Sequence, residues 1–244
     1  SNQFQNNDTT VLNVNSQGDI GNSLDILSYV EAIFIPEDRE NVLLSDVSIH
    51  RPYQEFNFIL DDHNNILYCL DSNFNYLYKI MPRGKGPGEF TQISDFCFDE
   101  RDEKLCILNN AQQKILEYDS NGSFIEEYQT EMYMKNLITV GSKAYSFNYE
   151  YKYNELQFLL RLFKNNYTID TSFLEPAFET YQNISGSNTF IKNHNRTYYL
   201  HCFDYQIYSL DDEMNPRLIY QMDFGKDSAM PHVNQLTMYD AESL

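Results

Sequence analysis

Phe58-Ile59-Leu60-Asp61, with Leu67-Tyr68-Cys69-Leu70-Asp71 behind it, is the stretch on which the fold turns. It returns as Phe96-Cys97-Phe98-Asp99 and Leu105-Cys106-Ile107-Leu108-Asn109, 38 residues on in both cases (Phe58 to Phe96, Leu67 to Leu105). Tyr76-Leu77-Tyr78-Lys79 has its counterpart near Ile115-Leu116-Glu117-Tyr118. A weaker third copy runs from Leu137-Ile138-Thr139 through 144–149 and 158–163 to 169–173, and a fourth from Phe190-Ile191 through 198–203 and 206–210 to 218–224. The runs between are short and apolar or alternating, among them 42–49, 56–60, 66–70, 77–80, 93–98, 104–108, 115–118 and 124–128, which is how strands read. Asp61-Asp62-His63-Asn64-Asn65, Asp71-Ser72-Asn73, Asp119-Ser120-Asn121-Gly122 and Asp211-Asp212-Glu213 separate them. Asn and Asp tolerate left-handed backbone and bond their own main chain, so these segments predict tight hairpins. Helical periodicity is confined to 23–32, enough for one or two turns.

A unit of four strands repeated at about 40 residues is the signature of β-propeller blades. Each blade buries its faces against its neighbours, and closure leaves only short protected edges. A sandwich shows no such self-similarity. The expected fold is therefore all-β, a propeller of four-stranded antiparallel blades, with about four blades visible in this chain. The expected layout is one domain over 1–244: an N-terminal segment 1–41, blades near 42–81, 91–130, 136–174 and 188–224, and an incomplete tail 225–244.

Composition agrees. Of 244 residues 42% are hydrophobic, enough for a real core, and 15% are aromatic, with 20 Tyr, 17 Phe and no Trp. Broad flat side chains suit pleated, half-buried surfaces. A net charge of −19 repels phosphate backbones and anionic lipid surfaces, which argues against nucleic acid as a partner. No run of 18 apolar residues is present, so no helical span is expected. Ser1-Asn2-Gln3-Phe4 carries no basic and apolar signal segment and reads like a trimmed start. Cys69, Cys97, Cys106 and Cys202 have no CxxC spacing and sit in apolar runs, which predicts buried free thiols rather than disulfides or a metal site.

Arg83-Gly84-Lys85-Gly86-Pro87-Gly88-Glu89-Phe90, followed by Ile93-Ser94-Asp95-Phe96-Cys97-Phe98-Asp99, resembles an NHL-type repeat. Upstream, Ile26-Leu27-Ser28-Tyr29-Val30-Glu31-Ala32-Ile33-Phe34-Ile35-Pro36 leads into Asn41-Val42-Leu43-Leu44-Ser45-Asp46-Val47. That order is similar to the entry of the six-bladed, NHL/TolB-like propeller lipoproteins of Bacteroidetes. The likeness is good over about residues 10–130 and rests on strand rhythm alone over 131–224. It implies that an N-terminal strand, here 10–14, pairs with the last blade and closes the ring. It also implies an exported protein, periplasmic or outer-membrane-anchored through a lipid on a cysteine that this sequence does not contain. Six blades need roughly 330 residues, so the sequence is expected to be part of a six-bladed protein rather than a closed four-bladed ring.

The 84–90 loop is the sharpest local motif. Its alternating glycines permit positive φ and expose N–H groups as an anion nest, and Arg83 and Lys85 add positive charge in an acidic protein. It also reads as a plain connection from one blade to the next, and the resemblance says the same. It is neither a Walker loop nor a dinucleotide loop. Tyr149, Tyr151 and Tyr153 alternate, so they share one strand face, where they either stack on sugar rings or a peptide or pack between blades. His194, His201 and Asp204 form the nearest metal-like cluster, but His201 and Cys202 are adjacent and face opposite sides of a strand. No metal and no cofactor is expected.

No GxSxG elbow, HExxH helix or paired-carboxylate signature is present. The reading that follows is a non-enzymatic cell-envelope binding or scaffolding module recognising a protein partner, peptide or glycan. The alternative is a propeller lyase or hydrolase with its site in the central channel. Fold alone does not decide between them.

Overall fold

The computed structural model describes residues 10–13, 42–99, 102–141, 143–147, 160–164, 166–173, 190–193, 196–201, 206–211 and 216–223. The helical candidate 23–32, the tail 225–244 and the tyrosine run 149–153 lie outside them. The described residues hold strands throughout, with one 3-10 turn at Asn110–Gln112. Contacts divide the chain into two compact units, Gly18–Thr130 on one side and Ser1–Gln17 with Glu131–Leu244 on the other.

The first strand, β1 (Thr10–Asn13), belongs to the second of these units. The 18–130 unit holds two four-stranded antiparallel sheets. One is β2 (Val47–Tyr53), β3 (Phe56–Asp61), β4 (Ile66–Asp71) and β5 (Tyr76–Ile80), and the other is β6 (Asp95–Asp99), β7 (Lys104–Asn109), β8 (Lys114–Asp119) and β9 (Phe124–Gln129), each in sequential order. Corresponding strands start 48 positions apart in all four cases: Val47 and Asp95, Phe56 and Lys104, Ile66 and Lys114, Tyr76 and Phe124. The blade repeat is therefore real, but its phase differs from the 38-residue match, which lays β3 on β6. The reason lies in β2, whose Ser48, His50, Arg51 and Pro52 hide it among polar residues, so the apolar run of β3 looks like the start of the blade.

The expected strand over 42–49 is likewise displaced to Val47–Tyr53. The 42–46 segment is held by side chains instead. Val42 is buried in a small cluster with Ile59, Ile66, Tyr68 and Leu70, and Ser45 gives its backbone N–H and hydroxyl to the Asp61 carboxylate at 2.9 and 3.1 Å.

The two sheets share a core of Tyr53, Phe58, Leu60, Leu67, Phe90, Phe96, Phe98, Leu105, Ile107 and Leu116. Its centre is aromatic: Phe98 lies 5.7 Å from Phe58 and 5.0 Å from Tyr53, ring centroid to centroid. Full burial of one such side chain contributes about 1.5–3 kcal/mol. Arg51 on β2 adds a polar tie to β6. It pairs with the buried Asp95 carboxylate at 2.8 Å, donates to the Phe96 carbonyl, and lies 5.0 Å over the Phe96 ring.

The hairpin turns repeat as closely as the strands. In Asp71-Ser72-Asn73-Phe74-Asn75 the Asp71 carboxylate accepts from the N–H groups of Asn73 and Asn75 at 2.8 Å each. In Asp119-Ser120-Asn121-Gly122-Ser123 the Asp119 carboxylate accepts from Asn121 and Ser123 at 2.9 and 2.8 Å. The fourth residue is left-handed in both, Phe74 at φ 62° and Gly122 at φ 81°. Gly122 adopts this freely. Phe74 does so at some cost, offset by its packing against the Val42 cluster.

In the other unit, β10 (Asn136–Val140), β11 (Lys143–Phe147), β12 (Leu160–Phe163) and β13 (Ile169–Phe173) form a third antiparallel sheet. The fourth comprises β14 (Phe190–Asn193), β15 (Arg196–His201), β16 (Gln206–Leu210) and β17 (Arg217–Asp223). Strand β1 joins this fourth sheet in parallel beside β17, in register from Thr10 on Tyr220 to Asn13 on Asp223. Tyr145, Leu160, Leu162, Phe173, Tyr199, Tyr208, Leu210 and Leu218 make the core of this unit, and the Tyr145 hydroxyl donates to the Asp211 carbonyl at 3.2 Å.

Asp61 carries a pH signature. Burial pushes its carboxyl pKa up, but the donors from Ser45 and Asn64 outweigh this and hold it below the ordinary carboxylate value. A folded pKa below the unfolded one stabilises at neutral pH, and this contribution is lost as the pH falls through the folded value. Asp61→Asn should cost about 1–3 kcal/mol at pH 7. It should also flatten the loss of stability below pH ~4, read by guanidinium denaturation at pH 7 and pH 3.

Candidate functional site

Strand β5 stops at Ile80 and β6 starts at Asp95, and the glycine-rich segment carries the chain between them. Its base is cinched by backbone bonds. Phe90 N–H donates to the Pro82 carbonyl at 3.1 Å, Gly84 N–H to the Phe90 carbonyl at 3.2 Å, and Glu89 N–H to the Gly86 carbonyl at 3.0 Å. Phe90 itself is fully buried in the aromatic core and roots the loop there.

The N–H groups that an anion nest needs are used by the protein's own carboxylates. Gly86 N–H donates to Glu89 Oε2 at 2.9 Å, and Gly88 N–H donates to Glu127 Oε2 on β9 at 3.1 Å. Lys114 on β8 lies beneath. Its ammonium, with the residue only 3% exposed, pairs with Glu127 Oε2 at 2.8 Å and reaches the Gly86 carbonyl at 3.4 Å. The Tyr118 hydroxyl donates to the Gly88 carbonyl at 2.8 Å. Burial raises the Glu127 pKa, but the Lys114 ammonium and the Gly88 N–H outweigh it and leave the carboxyl below its ordinary value. Burial, and then the Glu127 charge, push the Tyr118 phenol well up, so it stays a donor.

Arg83 and Lys85 are both exposed. Arg83 is not loose: its Nη2 donates to the Asn64 carbonyl at 2.6 Å, tying the loop to the β3–β4 turn. The loop thus presents two cations on a hydrogen-bonded backbone, while the Gly86 and Gly88 amides are taken by Glu89 and Glu127. An arriving anion meets the side chains of Arg83 and Lys85, not an open nest. Tyr149, Tyr151 and Tyr153, the other expected contact residues, lie outside the described residues, as do His194 and Asp204 and the side chain of His201. Among the described residues no group of three or more His, Cys, Asp and Glu side chains converges to hold a metal.

Sequence reasoning passed over Lys114, Tyr118 and Glu127, which organise the loop from the following blade. Glu89, three positions after Gly86, was visible as a local signal. Lys114 and Glu127 were not, because they meet only through the β8–β9 register, in which Leu116 stands opposite Glu127.

Gly88 leaves no room for a side chain. Its φ is +73°, and an added Cβ would stand 2.8 Å from Phe124 Cγ. Gly88→Ala should destabilise the protein by about 1–3 kcal/mol, measured as a shift in denaturation midpoint. An unchanged midpoint would show that the loop is not clamped as described.

No curated protein matches the chain. Among solved structures it is similar to a Bacteroides fragilis protein described as exported, with a TM-score of 0.75 at 20% identity over 95% of this chain and 68% of that one. It is also similar to a DUF4221-family member from Bacteroides vulgatus, with a TM-score of 0.52 at 12% identity over 78% of this chain and 61% of that one. At such identities the likeness is one of fold. Among the described residues no helix is long and apolar enough to cross a membrane. A family model described as 6-bladed beta-propeller matches residues 1–242, almost the whole sequence, and its blades are the four-stranded antiparallel sheets found here: the chain belongs to the DUF5128 family of six-bladed β-propellers.

Proposed function

We propose that this chain is part of a non-enzymatic scaffolding propeller of the bacterial cell envelope, exported and held there by a lipid anchor. It recognises a protein partner through an acidic segment of that partner. The observation that carries the reading is the glycine loop: Arg83 and Lys85 stand exposed on a backbone fixed by Lys114, Tyr118 and Glu127, in a chain of net charge −19. Two cations on one loop of a net-negative chain orient an acidic ligand while the chain's overall charge repels misplaced ones, so the charge gives register and specificity more than raw affinity. Immobilising the loop beforehand lowers the ordering cost of binding. The fold likeness to an exported Bacteroides protein supports the cell-envelope setting.

The test is parallel affinity capture from an envelope extract of the source organism, with the wild-type domain and Lys85→Glu as baits, followed by mass spectrometry. A partner held by the wild type should bind Lys85→Glu about tenfold more weakly, with unchanged folding. Retention of nothing beyond a mock control, or equal retention by both baits, would overturn the proposal.

A further inference from the structure

Two cysteines that the binding reading leaves unused face each other in the second blade. Cys97 on β6 and Cys106 on β7 are direct cross-strand partners, 2% and 1% exposed. Their sequence neighbours Phe96, Phe98, Leu105 and Ile107 all point to the opposite face, into the aromatic core. The two sulfurs therefore share the other face of the sheet, and they are within hydrogen-bonding reach of one another. Directly opposite residues of an antiparallel pair have Cα atoms about 4.5 or 5.5 Å apart, inside the span a disulfide bridges. We propose that Cys97 and Cys106 are a modification site: a cross-strand disulfide that forms when the chain folds in the presence of a low-molecular-weight or protein disulfide.

The chemistry balances as thiol–disulfide exchange. One cysteine thiolate attacks a sulfur of the oxidant RSSR, its S–S bond breaks, and the first RS⁻ leaves as a mixed disulfide forms. The other thiolate then attacks the protein sulfur of that mixed disulfide and expels the second RS⁻. The two protons released by Cys97 and Cys106 end on the two RSH products, and the electron pair passes to the oxidant. The step belongs to folding rather than to the finished blade, because both sulfurs are closed off from solvent there. The Cys106 contact, and then burial, also hold the Cys97 thiol protonated, and burial pushes the Cys69 thiol up to about 11. Once folded, either redox form is thus kinetically protected. Cys69 is no competitor for Cys97: it lies in the aromatic core cluster, which is packed against the opposite face of β6.

The experiment is refolding of the full chain from denaturant with a reduced/oxidised glutathione mixture, followed by alkylation in denaturant. Titratable thiols should fall from the four in the sequence to two. A tryptic digest should contain residues 86–101 linked to residues 105–114, a species that dithiothreitol removes and Cys106→Ser abolishes. The oxidised form should melt above the reduced one. Four free thiols with no linked peptide after refolding, or a link from Cys97 to Cys69 or Cys202 instead, would overturn the assignment. The readout is independent of any partner, so it stands or falls apart from the binding proposal.

Discussion

A four-stranded sheet has two faces and cannot cover either by itself, and that constraint governs the 18–130 unit. Both of its sheets turn an apolar face inward, so Phe58 from one meets Phe96 and Phe98 from the other, and Tyr53 closes the edge. Everything else in the unit serves that contact. The Arg51–Asp95 pair sets the position of β2 against β6, and Phe90 pins the connecting loop into the same core. The buried ion pair adds little net stability, because desolvation of Asp95 consumes much of the Coulomb gain. Its value is positional, since a charge left unpaired there would be expensive.

Much of this architecture was legible in the sequence, for identifiable reasons. Period-two alternation and Asx-type turn residues mark strands and hairpins locally, and Asp71-Ser72-Asn73 and Asp119-Ser120-Asn121 do the same work in both blades. The phase of the repeat was not legible, because β2 carries His50, Arg51 and Pro52 where its counterpart β6 carries Phe98 and Asp99. A strand whose polar residues are held by a neighbouring sheet leaves no apolar signature of its own. In the second unit the corresponding strands are separated by unequal lengths of sequence, so the self-similarity fades even though the sheets are built alike.

The candidate site was legible in composition and illegible in detail. Three alternating glycines with two cations announce a loop that can gather an anion, and the same pattern permits the loop to gather its own carboxylates. What decides between these is long-range. Glu127 arrives from β9 and Lys114 and Tyr118 from β8, all well beyond the last residue of the motif, Phe90. A motif reports which backbone conformations are accessible. The fold reports which of the exposed amides are already taken.

That distinction also separates the roles of the three cations at this loop, Lys114, Arg83 and Lys85. Lys114 is buried and spent on Glu127, and Arg83 is anchored by the Asn64 carbonyl, so neither is free to move toward a ligand. Lys85 lies between two glycines at an exposed position, where its side chain contributes nothing to the core. A surface lysine on such a loop adds almost nothing to stability, and its charge, with that of the exposed Arg83, runs against the chain's net charge of −19. Its place in the structure is therefore accounted for by what it presents outward, while the carboxylates beneath it account for why the loop holds still.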